Sequence, residues 1–198
     1  MHDAKSKACL GFLTIVEYAP HGLFGGYLIL NTAGRPLEFH CTAPIKPNRA
    51  QQILYGPTLE PYLFGEQIGQ TLLGKTKLEP LVVCTDREPA LAVREHVSVP
   101  AALVLPPEDC ETPSASGEVT APTAPDPPPR SWRLDAAHAG PRLIAFSVGR
   151  NRLAVPTAAA HDRPLIEERL SALADSFDLT EPFSRIREAI EEARRGGQ

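Results

Sequence analysis

The sequence predicts an α+β protein, with a mainly antiparallel sheet, helices packed on it and a disordered Pro-rich insertion. Three observations predict it. Short β-patterned runs separated by turn residues fill the first forty residues. Longer helical patterns follow them and recur near the end. Between Pro106 and Arg130 the composition shifts to prolines, small polar residues and acids, with no aromatic residue.

The elements follow in order. Cys9 to Tyr18 has the apolar and β-friendly content of a strand, and Pro20, His21 and Gly22 turn the chain. Gly26 to Asn31 forms a second strand, and Asn31-Thr32-Ala33-Gly34 carries turn chemistry. Pro36 to Thr42 forms a third. Its alternation puts Leu37, Phe39 and Cys41 on one face, expected to be buried, and Glu38, His40 and Thr42 on the other. Pro44 and Pro47 close it. Asn48 to Tyr55 is helical, with Ile53 and Leu54 expected inward, and Gly56-Pro57 breaks or kinks that helix. Thr58 caps a second run, Leu59 to Leu73, whose apolar residues cover more than one stripe. Pro80 to Cys84 is a short apolar run, as in a central strand buried on both faces. Thr85 and Asp86 cap a short helix through Arg94. Val97 to Leu105 is a strand that Pro100 assigns to an edge or a bulge.

The segment 106–130 buries too little apolar surface to offset the entropy of ordering. Beyond it, Leu143 to Val148 and Arg152 to Val155 form a hairpin around Gly149-Arg150-Asn151. Two amphipathic helices follow, Asp162 to Phe177 and a last one capped by Thr180. The domain plan is thus 1–105 as an α+β core, 106–130 as linker or insertion, and 131–198 as hairpin plus helices. A unit of about 65 residues with one hairpin is marginal alone, so 131–198 is expected to pack on the core, with a separate second domain as the alternative.

Apolar residues are 42% of the chain and aromatics 6%, so the core is mainly aliphatic. A net charge of -4 gives no global attraction for phosphate, and nucleic acid is not expected as a partner. No run reaches the roughly 18–20 apolar residues of a membrane span, and no signal-like segment is seen. A cytoplasmic location is expected. Cys9, Cys41, Cys84 and Cys110 are far apart and suit free thiols.

Few residues suggest chemistry. His40-Cys41 looks like a thiol–base pair, but neighbours on a strand point to opposite faces. The six histidines form no metal-ligand spacing, and neither a metal nor a cofactor is expected. Gly22-Leu23-Phe24-Gly25-Gly26 lies between strands and lacks phosphate-loop spacing, so it suits a turn or bulge. Arg35, Arg49, Glu60 and Glu66 are the more interesting charges. Glu66, among Leu63, Phe64 and Ile68, is expected in buried surroundings that demand a partner. Arg35, Arg49, Glu66 and His40 are therefore the candidate ligand-binding residues, facing a pocket between sheet and helix. Asp86 and Arg87 follow an apolar strand, a position that attracts ligands in parallel sheets. In a mainly antiparallel sheet a cap is the simpler role for Asp86.

Residues Gly25 to Phe39, with their strand, Asn-x-x-Gly-x-Pro and second strand, resemble the central hairpin of profilin-like sensor folds. The segment Leu10 to Leu73 resembles uncharacterised bacterial proteins, a resemblance that implies no activity. With no catalytic constellation, the expected function is that of a non-catalytic accessory or regulatory protein. Its partner would be a protein or a second copy, bound through the C-terminal helices. The alternatives are a small-molecule or nucleotide sensor using the pocket beside helix 59–73, and an enzyme using Cys41 or Cys84.

Overall fold

The computed structural model describes residues 8–106, 142–173 and 177–196. The expected Pro-rich insertion lies, apart from Pro106, outside the described residues, as do Cys110 and Trp132.

The chain is α+β, built on one seven-stranded sheet of order β3-β2-β1-β4-β5-β7-β6. The strands are β1 (Cys9–Tyr18), β2 (Gly22–Asn31), β3 (Pro36–Cys41), β4 (Val83–Thr85), β5 (Ala101–Leu105), β6 (Leu143–Val148) and β7 (Asn151–Pro156). The sheet is mixed rather than mainly antiparallel. The pairs β1–β2, β2–β3, β5–β7 and β6–β7 are antiparallel, whereas β1–β4 and β4–β5 are parallel. Hairpin turns announce themselves locally. The parallel pairs arise from two crossovers, residues 49–82 and 86–100, which carry the chain back to the end of the sheet where β1 began.

The first crossover is helical for most of its length. It contains α1 (Arg49–Tyr55), a 3₁₀ turn (Gly56–Thr58), α2 (Leu59–Pro61), a π-helical stretch (Tyr62–Gln70) and α3 (Thr71–Leu73). The second contains a 3₁₀ segment, Glu88–Glu95. Both cover one face of the sheet, where Leu63, Phe64, Ile68, Leu72, Ala90 and Val93 pack against Leu13, Ile15, Tyr27 and Ile29. On the other face lie α4 (Asp162–Leu170) and α5 (Glu181–Gly196). There Ile166, Leu170, Phe183, Ile186 and Ile190 pack with Leu10, Phe12, Leu28, Leu30, Leu153 and Val155. Alternation along β1 and β2 thus feeds two aliphatic cores.

The glycine-rich start of β2 does two jobs. Gly22, at φ 107°, makes the turn. Gly25 and Gly26 sit inside the strand and let a helix approach from each side. A Cβ at Gly25 would lie 2.1 Å from Ile68, and one at Gly26 2.3 Å from Ile186.

Several expectations need correction. β5 is an interior strand, not an edge. It begins after Pro100, whose carbonyl accepts from Val83 N–H at 2.9 Å, so proline removes no ladder bond. Leu37, Phe39 and Cys41 of β3 are exposed, not buried. They share a face with Leu28 and Gly26, but α5 lies over β1 and β2 and leaves the edge strand uncovered. Ile53 and Leu54 point to solvent, because α1 projects from the body and buries no residue. Asp86 caps nothing and instead pairs with Arg187 of α5.

The C-terminal hairpin extends the same sheet through β5 and β7, with Gly149 at φ 55° in its turn. Asn151 ties it to the start of α5: its amide donates to Phe177 C=O at 2.8 Å and accepts from Leu179 N–H at 3.0 Å. Asp178 fixes the entry to α5. Burial pushes its carboxyl up, but the Thr180 hydroxyl and N–H, Arg150 and the Glu181 N–H outweigh burial and hold it below the usual carboxylate range. A depressed carboxyl stabilises the fold above its unfolded pKa, and that contribution is lost as pH falls through the folded value. Asp178→Asn is therefore expected to lower the melting temperature at pH 7, and the gap to the parent should narrow as pH falls through the depressed folded value. Melting curves of both chains from pH 7 to pH 3 check this. A gap independent of pH would remove the electrostatic account.

Candidate functional site

None of the four residues singled out as ligand-binding lines either of the two clefts beside the helical ridge 49–61. Arg35 is exposed in the β2–β3 turn, and Arg49 is exposed at the first position of α1. Glu66 is exposed on the outer side of the π-helical stretch, so the buried surroundings expected for it are absent. The apolar neighbours Leu63, Phe64 and Ile68 face the sheet, and a wide apolar stripe still leaves a solvated side. His40, half-buried on β3, bonds Glu38 at 3.0 Å. Hydrogen bonds from Thr76 and His40 hold the Glu38 carboxyl below its usual range.

Thiol chemistry fares no better. Cys84 is fully enclosed, and burial pushes its thiol up to about 12. Burial, with Glu38 nearby, also raises Cys9. Neither forms thiolate readily near neutral pH. Cys41 is exposed, and His40 beside it is engaged on the opposite face of the strand. Among the described residues, no group of three or more His, Cys, Asp or Glu side chains is placed to hold a metal ion. No described helix is long and apolar enough to cross a membrane.

Two clefts flank the helical ridge 49–61. The larger, of about 730 Å³, lies between that ridge, the 3₁₀ segment 88–95 and the loop from β7 to α4. Its walls are largely proline, alanine and Leu91, and Glu60, Glu88, Glu95, Arg94 and His161 also line it. One wall contains an ion pair that closes on itself. Arg94 Nε and Nη2 donate to the Asp162 carboxylate at 2.6 and 3.0 Å, and Arg94 Nη1 donates to Val97 C=O at 2.8 Å. That geometry joins the layer on one face of the sheet to α4 on the other, a structural role.

The smaller cleft, of about 420 Å³, lies where a pocket between sheet and helix 59–73 was expected, but different residues line it. Glu17 comes from the end of β1, Lys46 from the loop after β3, Gln52 and Glu60 from the ridge, and Arg87 from just beyond β4. Leu23, Ile45, Leu63 and Phe64 supply the apolar part. The Arg87 guanidinium lies over the Phe64 ring, 5.8 Å from its centroid. The cleft stands at the carboxyl ends of two adjacent parallel strands, where open sheets with parallel strands place their ligands. Of this set, Glu60 and Arg87 were visible in the sequence as charges worth noting. Glu17 and Lys46 carried no local signal. Only the parallel pairing of β1 with β4 brings Glu17 and Arg87 to one rim.

The ridge itself is unusual. Asn48 and Gln51 form a reciprocal capping box at its start, with bonds of 2.8 and 2.9 Å. Gly56, at φ 49°, ends α1, and Tyr55 stacks on Tyr62 at 4.2 Å. Ile53 is 67% and Leu54 81% exposed. Compared with protein-family models and with curated proteins, the chain matches none.

Proposed function

We propose that this is a non-catalytic accessory protein that docks a protein partner through the ridge 49–61. The observation that carries the proposal is the exposure of Ile53 and Leu54 on a helix with no buried residue. Single apolar residues on a surface need no explanation. Here two adjacent ones crown a seven-residue helix that is too short to be stable by itself and buries no residue. A capping box and a tyrosine stack hold it in place, which presents the pair rather than hiding it. The C-terminal helices, by contrast, turn their apolar faces to the sheet. Docking at the ridge is the better-supported route.

Burying an exposed Ile or Leu side chain gains about 1.5–3 kcal/mol, so the pair is worth up to a few orders of magnitude in affinity. Ile53→Glu/Leu54→Glu is expected to melt like the parent and to lose at least about 100-fold in partner affinity. Chemical cross-linking in native lysate, with adducts identified by mass, compares the two chains. Light scattering after size exclusion separates self-association from capture of another protein. Identical adducts and oligomeric state in both chains would defeat the proposal.

A second reading, a small-molecule sensor, is supported by one observation: the 420 Å³ cleft at the carboxyl ends of β1 and β4.

A further inference from the structure

We infer that the cleft between β1, β4 and the helical ridge binds a small zwitterion, a molecule with one carboxylate and one ammonium on an apolar body. The inference rests on the small-molecule reading and names its ligand class. Four ionisable side chains line the cleft, two of each sign: Glu17 and Glu60, Lys46 and Arg87. None of the four forms an ion pair with another within 4.0 Å. Elsewhere on the surface opposite charges do find each other, as in Arg163–Glu167, Arg185–Glu181 and Arg195–Glu191. Charges distant in sequence meet as well, as in Asp86–Arg187. Helical neighbours four apart meet automatically. The cleft charges come from a strand end, two loops and the ridge, and the cavity keeps them apart.

Between the charges the lining is part polar, with Gln52, and part apolar. Leu23, Ile45, Leu63 and Phe64 offer a patch suited to an aliphatic or aromatic body. Arg87 is steered by the Phe64 face beneath it, a contact that favours a cation there. All four side chains are exposed to water, and a ligand with one charge would be attracted by one pair and repelled by the other. A zwitterion meets a cation with its carboxylate and an acid with its ammonium while its body covers the apolar patch. The volume suits a molecule of amino-acid to dipeptide size. The larger cleft carries no comparable inference, because its two basic lining groups, Arg94 and His161, are both paired with Asp162, which leaves Glu60, Glu88 and Glu95 without a cation between them.

Isothermal titration calorimetry on the full chain tests the inference. The zwitterionic probes are L-leucine, L-phenylalanine, L-leucyl-L-leucine and 6-aminohexanoate. The single-charge analogues are N-acetyl-L-leucine, L-leucine methyl ester, hexanoate and hexylamine. At least one zwitterion should bind saturably and at least about tenfold more tightly than its analogues. Glu17→Gln and Arg87→Gln should each weaken that binding about tenfold without changing the melting temperature, whereas Glu95→Gln should not. Equal binding of zwitterions and analogues would overturn the charge assignment and leave the cleft as a binding site. Tight zwitterion binding unaffected by both variants would overturn the location. No saturable heat from any probe would overturn this inference together with the small-molecule reading.

Discussion

Asp162→Ala should lower the unfolding free energy by about 3 kcal/mol, the lower end of the range for breaking a buried ion pair. The residue is 2% exposed, and its carboxylate receives two charge-assisted bonds from Arg94. The hydrogen bond to Asp162 raises the Arg94 guanidinium above its usual range, against the opposing effect of burial. Removing the carboxylate leaves a cation held beside Val97 C=O with no counter-charge. The side chain of Arg94 is about a quarter open to water (24%), so solvent relieves part of that penalty. The pair also joins residues 68 apart in sequence, on opposite faces of the sheet, so the loss is shared by both layers. Arg94→Met/Asp162→Leu should lose much less than the sum of the single changes, because apolar replacements of similar volume leave no orphaned charge. Urea unfolding of the parent, Arg94→Met, Asp162→Leu and the double variant measures the coupling, with Asp162→Ala measured beside them. A loss below about 1 kcal/mol for Asp162→Ala would mark the pair as solvated in solution.

The second large effect has an unusual sign. Alanine in place of glycine inside a helix ordinarily stabilises by about 0.5–1 kcal/mol. Gly65→Ala should instead destabilise by about 1–3 kcal/mol. A Cβ there would lie 2.6 Å from Ala92 Cβ, 2.8 Å from Ala92 C and 2.8 Å from Val93 N. Two of those atoms are backbone, so no rotamer change relieves the contact. The π-helical stretch and the 3₁₀ segment 88–95 would have to separate, opening the core that Ile68, Leu91 and Val93 share. Ala92→Gly in the same chain should restore only part of the loss, since the backbone contacts persist. Thermal and urea unfolding measure both variants. Stabilisation by Gly65→Ala would show that the two crossover segments pack more loosely than the structure describes.

The sequence was informative wherever a side chain's period decides its surroundings. The apolar run of β1 and the turn at Gly34 belong to short stretches of chain, and so does the break at Gly56. Two places show where that information stops. In β3, alternation groups Leu37, Phe39 and Cys41 on one face, and the structure keeps that grouping. Whether anything covers the face depends on α5, about 150 residues away, which stops at β2. In α1, Ile53 and Leu54 are apolar neighbours on a short helix, and an inward orientation is the economical expectation. Gly56 and Pro57 set the direction of the helix, and that direction carries both residues away from the sheet.

The candidate site shows the same division. Burial inferred from neighbouring apolar residues drew attention to Glu66, but its outward position follows from which side of the helix meets the sheet. Glu17 and Arg87 are 70 residues apart and share a rim because β1 and β4 run parallel as neighbours.

Local periodicity therefore determined the α+β class and the identity of most strands and helices, because those follow from 2-residue and 3.6-residue repeats written into short segments. Tertiary structure alone decided the mixed order of the sheet, the uncovered faces of β3 and α1, and the grouping of charges around the cleft. Those depend on how crossovers direct each strand and on which distant layer covers each face, and no repeat in a single segment encodes either.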